Sequence, residues 1–371
     1  MPRPAPAPPR PVRTAGAGSR LRSMDALRLL AALAVVLFHF TARDHVRWGP
    51  LPVEAFPALS AVTRYGYAGV HLFFVISGFV ILMSAWGRSV PQFVASRVSR
   101  LFPAYWAAVL LTATLRWAWP TFGDLGPVEV LVNLTMLQDL FGVPRVDGVY
   151  WTLWVELQFY LAVLLLLLAG PTRRRVLACA GVGPVLCTAL TLAAPAAASA
   201  VTLLGFAPLF AAGMVLYVLH RDGHTGGRWL LLGLNAAQAV LLAATRQTGA
   251  IDHVTSGGRT SPVVLALVVA GCIGLVAAVA LVPVVRDLDL PLLTALGALT
   301  YPLYLTHEYV GWALIDVLHT ALGRYPTLAV ALGCCIALAW ALHRLVERPL
   351  QKPLRTRLEK RLGARAAARA G

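Results

Sequence analysis

Two side chains near the amino terminus have types and spacing that suit acid–base chemistry inside a membrane. Arg28 and His39 stand eleven residues apart in a mostly apolar stretch. On a helix this spacing returns to within about 20° of one line, and His39 lies roughly 16 Å beyond Arg28. The guanidinium can hold phosphate at one end, and the imidazole can act as a general base at the other. The alternatives are a snorkelling anchor and a satisfied core histidine.

Two further arginines and a glutamate extend this set. Arg97 and Arg100 are three residues apart, so on a helix both guanidinium groups share one face and could clamp a phosphate. Loop arginines also serve as topology determinants. Glu156 stands in an apolar segment, where a charged group is costly and needs a partner. We expect a neighbouring histidine or arginine to be that partner, and Glu156 to orient or charge-compensate His39.

A polar stripe near residue 300 supplies candidates of second rank. Tyr301, Tyr304 and Glu308 repeat at i, i+3 and i+7, which is one helical face. Tyr304 and His307 are candidates for binding the donor or the acceptor of a transferred group. Trp154 is a third candidate, although the aromatic belt at a membrane surface also explains tryptophans.

The remaining reactive residue types favour packing roles. Ser77 precedes Gly78, a pair typical of close helix packing, and no triad or oxyanion-hole signature accompanies it. The five cysteines lie inside apolar runs without the paired spacing of a metal site or a disulfide framework. We expect no metal site.

Composition shows that these residues must be positioned by membrane helices. The chain has 371 residues, of which 58% are hydrophobic and 13% charged, and its mean hydropathy is +0.71. Soluble domains carry about 25% charged residues, so this composition excludes a water-soluble globular protein. The formal charge of +16 would suggest nucleic acid on a soluble protein. In a membrane protein, basic residues that face the inner side account for this charge. We therefore expect no nucleic-acid partner.

Apolar segments close to the roughly 20 residues that cross a bilayer recur along the chain. They predict an all-α polytopic protein with about ten transmembrane helices, near 26–43, 67–87, 102–119, 149–169, 175–194, 199–219, 228–245, 262–284, 292–318 and 326–347. Segment 127–141 is too short and too polar to cross, so it is predicted to lie on one face or dip into it.

The basic residues predict the orientation of these helices. With the amino terminus inside, 24 of the 32 Lys and Arg residues fall on the inner side, as the positive-inside rule requires. Both termini are therefore expected in the cytoplasm, and the protein in the cytoplasmic cell membrane. Residues 1–23 are predicted to be a disordered basic tail, 24–350 the transmembrane domain and 351–371 a basic cytoplasmic tail.

The order and spacing of these motifs closely resemble the membrane-bound acyltransferase-3 family over about residues 20–350. The matches are Arg28 with His39, Phe73–Phe79, Arg97 with Arg100, Trp151–Glu156, Tyr301–His307 and Glu347–Pro349. The resemblance implies that Arg28, His39, Arg97 and Arg100 are functionally critical. It also implies an acyl donor, commonly acyl-coenzyme A as a co-substrate with no bound cofactor, and an acceptor hydroxyl on a carbohydrate.

The sequence therefore predicts an integral-membrane O-acyltransferase. An acetyl or short acyl group would pass from acyl-coenzyme A to a hydroxyl of a carbohydrate, envelope glycan or glycosylated small molecule. Arg28, Arg97 and Arg100 would hold the donor phosphates. His39 would act as general base, or carry the acyl group itself. The alternative is a secondary transporter with an intramembrane His/Glu/Arg relay, although the sequence shows no inverted internal repeat.

Overall fold

The regular elements of the described chain are all helices. The computed structural model describes residues 22–196, 201–286 and 291–370. Ten long helices follow the predicted spans in order: α1 (Arg22–Thr41), α2 (Gly69–Ala85), α3 (Val90–Ala118), α4 (Trp151–Leu168), α5 (Arg173–Ala193), α6 (Ala207–Asp222), α7 (Gly226–Leu242), α8 (Pro262–Leu281), α9 (Thr300–Leu322) and α10 (Arg324–Leu342). The predicted all-α fold is confirmed. The predicted amino-terminal tail lies almost entirely outside the described residues.

Eight helical segments in this part of the chain are long and apolar enough to cross a membrane. The two long helices not among them are α6 and α9. α6 has only 16 residues, and α9 carries polar groups along its buried side. Both are largely enclosed by other helices, so neither needs the uniformly apolar surface that lipid demands. The chain is a multi-pass membrane protein, and the orientation of its termini stays a prediction.

Short helices and turns connect the long ones. They are Pro52–Ala55, Pro57–Thr63, the 3-10 turns Arg64–Ala68, Pro120–Phe122, Gly148–Tyr150 and Thr202–Gly205, then Pro127–Asn133, the π-turn Ala243–Gln247, Thr248–Asp252, Pro283–Arg286 and Pro291–Gly297. Helix Pro127–Asn133 occupies the start of the segment predicted not to cross. Buried Asn133 fixes the following loop, because its Oδ1 accepts the Val146 amide at 3.0 Å.

The chain beyond residue 350, predicted only as a basic tail, is helical. Helix α11 (Arg348–Ala370) continues α10 through the π-turn His343–Glu347 and packs against α3. Buried Glu347 lies at this junction and forms an ion pair with Arg100. The junction is therefore tied to α3 by charge as well as by packing.

Helices α2 and α6 approach each other so closely that each must carry a glycine. A methyl group on Gly78 would lie 2.0 Å from the Phe210 carbonyl oxygen, and one on Gly213 would lie 2.1 Å from the Val75 carbonyl oxygen. The packing role predicted for Gly78 is confirmed. The same contact turns the preceding residue, Ser77, toward a cavity lined by α1, α3 and α4.

Replacement of Gly213 by alanine should destabilise the helix bundle. The added methyl group would force α2 and α6 apart, and overpacking of this kind costs about 1–3 kcal/mol. Thermal unfolding of the detergent-solubilised protein, followed by tryptophan fluorescence, should show a lower midpoint for Gly213→Ala. Gly274→Ala is the matched control, because a methyl group there meets no atom within 4 Å. Equal midpoints for the two variants would contradict the close contact.

Candidate active site

The predicted arginines meet in one cavity of about 140 Å³, here called the arginine cavity. Helix α1 supplies Arg28, and α3 supplies Arg97 and Arg100. Glu156 of α4 and Tyr304 of α9 also line it, together with further hydroxyl groups that include that of Ser77. The predicted common face of Arg97 and Arg100 is therefore confirmed. Residues from five helices, α1, α2, α3, α4 and α9, converge on a space that could receive an anionic ligand.

The three arginines differ in how far their charge is already neutralised. Arg28 donates to Asp25 at 3.0 Å, and Arg100 forms its ion pair with Glu347. Within the described chain, no carboxylate lies at ion-pair distance from Arg97. Its guanidinium donates to the Ser96 hydroxyl at 3.3 Å and lies 5.9 Å from the Tyr160 ring centre. Of the three, Arg97 has the charge most available to a phosphate.

Glu156 has different partners from those expected. It accepts hydrogen bonds from the Ser77 hydroxyl at 3.1 Å and the Tyr160 hydroxyl at 2.8 Å. Two hydroxyl groups thus take the place of the predicted histidine or arginine, and the described residues show no hydrogen bond or ion pair between Glu156 and His39. The carboxylate faces the arginine cavity, where it can accept hydrogen bonds from a ligand.

His39 faces a second cavity of about 220 Å³, here called the histidine cavity. Arg43 and the rings of Tyr67 and Trp151 also line it, and these two rings stack at 6.3 Å between centres and 14° between planes. The two cavities share Val70 and Tyr304 in their linings. Because Arg28 and His39 each reach one of these adjoining spaces, the common face predicted for them on α1 is confirmed.

Hydrogen bonds fix the tautomer of His39. Its Nδ1 lies 2.8 Å from the Val35 carbonyl oxygen and 3.2 Å from Nε2 of His307. A carbonyl oxygen only accepts, so Nδ1 of His39 carries the hydrogen. Nδ1 of His307 also carries a hydrogen, because it lies 2.9 Å from the Tyr304 carbonyl oxygen. The lone pair of neutral His39 is therefore on Nε2, the nitrogen that a general base requires.

Glu308 is the acid that reaches His39. Its Oε2 lies 3.7 Å from His39 Nε2, and its Oε1 accepts a hydrogen bond from Arg43 at 2.6 Å. Asp147, just before α4, is buried beside this pair, and burial together with the Glu308 carboxyl raises the pKa of Asp147 well above its usual range. A fully buried carboxylate with a fixed cation can stabilise a positive charge that develops on His39.

Sequence reasoning placed Glu308 on a polar stripe but gave neither it nor Arg43 a role. The available signal was the four-residue spacing from His39 to Arg43, which brings both side chains to one end of α1. Which acid faces this end depends on how α9 is rotated against α1, and periodicity within α9 does not fix that rotation.

Of the three second-rank candidates, Tyr304 alone lines the cavities, and it lines both. Its hydroxyl lies 2.7 Å from the Thr152 hydroxyl, at the boundary between the two spaces. His307 lies behind His39, with its Nε2 3.2 Å from Nδ1 of His39. Trp154 belongs to neither lining. His71 is buried beside Gln247 and also lies outside both linings.

Comparisons with known proteins agree on one family. A family model described as an acyltransferase domain matches residues 21–344. The exopolysaccharide production protein ExoZ of Rhizobium meliloti is 37% identical over 111 residues, which are 26% of this chain and 32% of that protein. The acyltransferase MdmB of Streptomyces mycarofaciens is 29% identical over 150 residues, 38% of each chain.

A third relative is the peptidoglycan O-acetyltransferase OatA of Listeria monocytogenes. It is 27% identical over 166 residues, which are 38% of this chain and 23% of that protein. The chain thus spans between 23% and 38% of the length of these curated relatives. No solved structure matches the chain.

Removal of the Arg43 charge should destabilise the fold strongly. Arg43→Gln would leave Glu308 buried without its cation, and breaking a buried ion pair costs about 3–5 kcal/mol. The unfolding midpoint in detergent should fall, and the double variant Arg43→Gln/Glu308→Gln should recover part of the loss. Exposed Arg259 offers the matched control as Arg259→Gln. A midpoint for Arg43→Gln equal to that of the control would show that the pair contributes no stability.

Proposed function

This chain belongs to the acyltransferase domain family, and we propose that it is an O-acyltransferase of the cytoplasmic membrane. An acetyl or short acyl group passes from acyl-coenzyme A, which is a co-substrate, to a hydroxyl of a carbohydrate or glycosylated acceptor. One observation supports the proposal: the arginine cavity and the histidine cavity adjoin at Val70 and Tyr304, with three arginines lining one and His39 lining the other.

The donor enters at the arginine cavity. Its phosphates are held first by Arg97, whose charge is least neutralised, with Arg28 and Arg100 beside it. The cavity is too small for the whole donor, so the nucleotide stays at the mouth and the narrow pantetheine arm extends inward. Glu156 lines the path and can accept hydrogen bonds from the amide N–H groups of that arm. The α1 rise of roughly 16 Å from Arg28 to His39 sets the distance that the arm must cover.

Transfer takes place at His39. Nε2 removes the proton of the acceptor hydroxyl, whose oxygen attacks the thioester carbonyl carbon. A C–O bond forms, the C–S bond breaks, and the proton passes from the imidazolium to the departing thiolate. Glu308 stabilises the imidazolium across 3.7 Å while Arg43 holds the carboxylate in place. Attack by Nε2 itself would instead give an acyl-histidine, which the acceptor then cleaves.

The acceptor occupies the histidine cavity. The rings of Tyr67 and Trp151 offer apolar faces to a sugar, and Arg43 supplies a polar contact. Such a lining, which combines aromatic and aliphatic side chains with a few polar groups, is typical of small-molecule sites. Two relatives, an exopolysaccharide production protein and a peptidoglycan O-acetyltransferase, support a carbohydrate acceptor. The family match gives no support to the transporter alternative.

Loss of the His39 base should abolish transfer. His39→Gln keeps a polar side chain of similar length but removes the proton acceptor, and general-base catalysis contributes about 10²- to 10⁴-fold. Membranes containing each variant would be incubated with labelled acetyl-coenzyme A, and extracted glycans and glycolipids analysed by mass spectrometry. His253→Gln, at an exposed position, is the control. Retained activity in His39→Gln, at equal protein in the membrane, would end the assignment.

Loss of the Arg97 charge should weaken donor binding without impairing chemistry. A hydrogen bond to a charged group contributes about 1.5–3 kcal/mol, so Arg97→Ala should raise KM for acetyl-coenzyme A by roughly 10- to 100-fold and leave kcat close to native. Arg174→Ala, which removes an exposed arginine, is the control. An unchanged donor dependence would argue against phosphate binding at this position.

A further inference from the structure

The C-terminal helix presents a basic surface that the proposed reaction does not use. Six cationic side chains are exposed along the π-turn and α11, and this set is here called the basic face: Arg344, Arg348, Lys352, Arg357, Lys360 and Arg361. The acids within this stretch point elsewhere. Glu347 is buried against Arg100, and half-buried Glu359 accepts from Arg355 at 2.8 Å. The exposed charge over residues 344–361 is therefore predominantly positive, since the one partly exposed acid, Glu359, is paired with Arg355.

Large apolar side chains are exposed among these cations. Leu345 is 72% exposed and Leu350 is 51% exposed, and Trp340 one turn earlier is 58% exposed. Exposure of these three apolar side chains to water would be unfavourable. Tryptophan and leucine beside arginine and lysine are typical of the boundary between the hydrocarbon and the headgroups of a bilayer. This segment is thus built to contact lipid.

The helix is held rigidly in this position. The side of α11 opposite the basic face packs against α3. At its start, Glu347 joins the ion pair with Arg100 and lies 2.9 Å from the His343 ring nitrogen. The cations therefore project from a fixed support, so binding a ligand costs only side-chain entropy.

We propose that the basic face binds the phosphate headgroups of anionic phospholipids in the adjoining leaflet. The charge is complementary, and a basic residue near an anionic membrane surface contributes about 1 kcal/mol. The exposed leucines favour a lipid over a soluble phosphate, because a lipid also supplies hydrocarbon to cover them. This proposal does not depend on the acyltransferase activity.

Lipid binding to the full-length protein tests the proposal directly. The protein would be reconstituted in nanodiscs of phosphatidylcholine with or without phosphatidylglycerol, and retained lipids counted by native mass spectrometry. The native chain should retain phosphatidylglycerol in preference to phosphatidylcholine. The double variant Arg348→Gln/Lys352→Gln should lose that preference by roughly tenfold or more, with an unchanged unfolding midpoint in detergent.

A matched control removes two exposed charges elsewhere. Arg246→Gln/Arg259→Gln has the same change in net charge and should keep the native preference. The substitution Arg348→Lys should keep it as well, since the charge remains. The proposal is overturned if Arg348→Gln/Lys352→Gln retains phosphatidylglycerol as the native chain does. It is also overturned if millimolar glycerol 3-phosphate displaces the lipid, because the site would then be one for soluble phosphate.

Discussion

The high cost of burying charge in a bilayer governs the arrangement of this protein. Each ionisable group inside the described bundle has a specific partner or faces a cavity. Arg43 balances Glu308, Glu347 balances Arg100, and two hydroxyl groups satisfy Glu156. Of the three arginines that line the arginine cavity, Arg97 alone has no acid among the described residues at ion-pair distance. Because a cation without a counter-charge is costly in an apolar environment, Arg97 is the arginine of this cavity best suited to an anionic ligand.

The two cavities divide the chemistry between the ends of one helix. Arg28 and His39 belong to the same uninterrupted helix, so their separation is set by backbone geometry and cannot drift. The other helices place groups around these two: α3 adds two further arginines, and α9 adds His307 and Glu308 beside His39.

Much of this arrangement was accessible from the sequence. The lengths of the apolar segments and the breaks between them predicted the helices. The spacings of Arg28 with His39 and of Arg97 with Arg100 predicted which face of α1 and of α3 is polar, because such a face depends on one helix alone. The Ser77 partner of Glu156 was not accessible, since it depends on how α4 is rotated against α2, whereas Tyr160 lies one turn along α4 itself. The role of Glu308 was missed for the same reason. Beyond residue 350, composition indicated charge but not that packing on α3 would order it as a helix.

The boundary at Tyr304 also bears on permeability. A protein that passes a chemical group through the hydrophobic layer risks leaking protons and ions along the same route. Among the described residues, the linings of the two cavities have only Val70 and Tyr304 in common. The Tyr304 hydroxyl is hydrogen-bonded to the Thr152 hydroxyl. The extended, uncharged pantetheine arm of the proposed donor could displace the Tyr304 ring. A hydrated ion would have to lose its water to pass the same point. The narrow boundary at Val70 and Tyr304 would therefore resist the passage of hydrated ions between the two cavities.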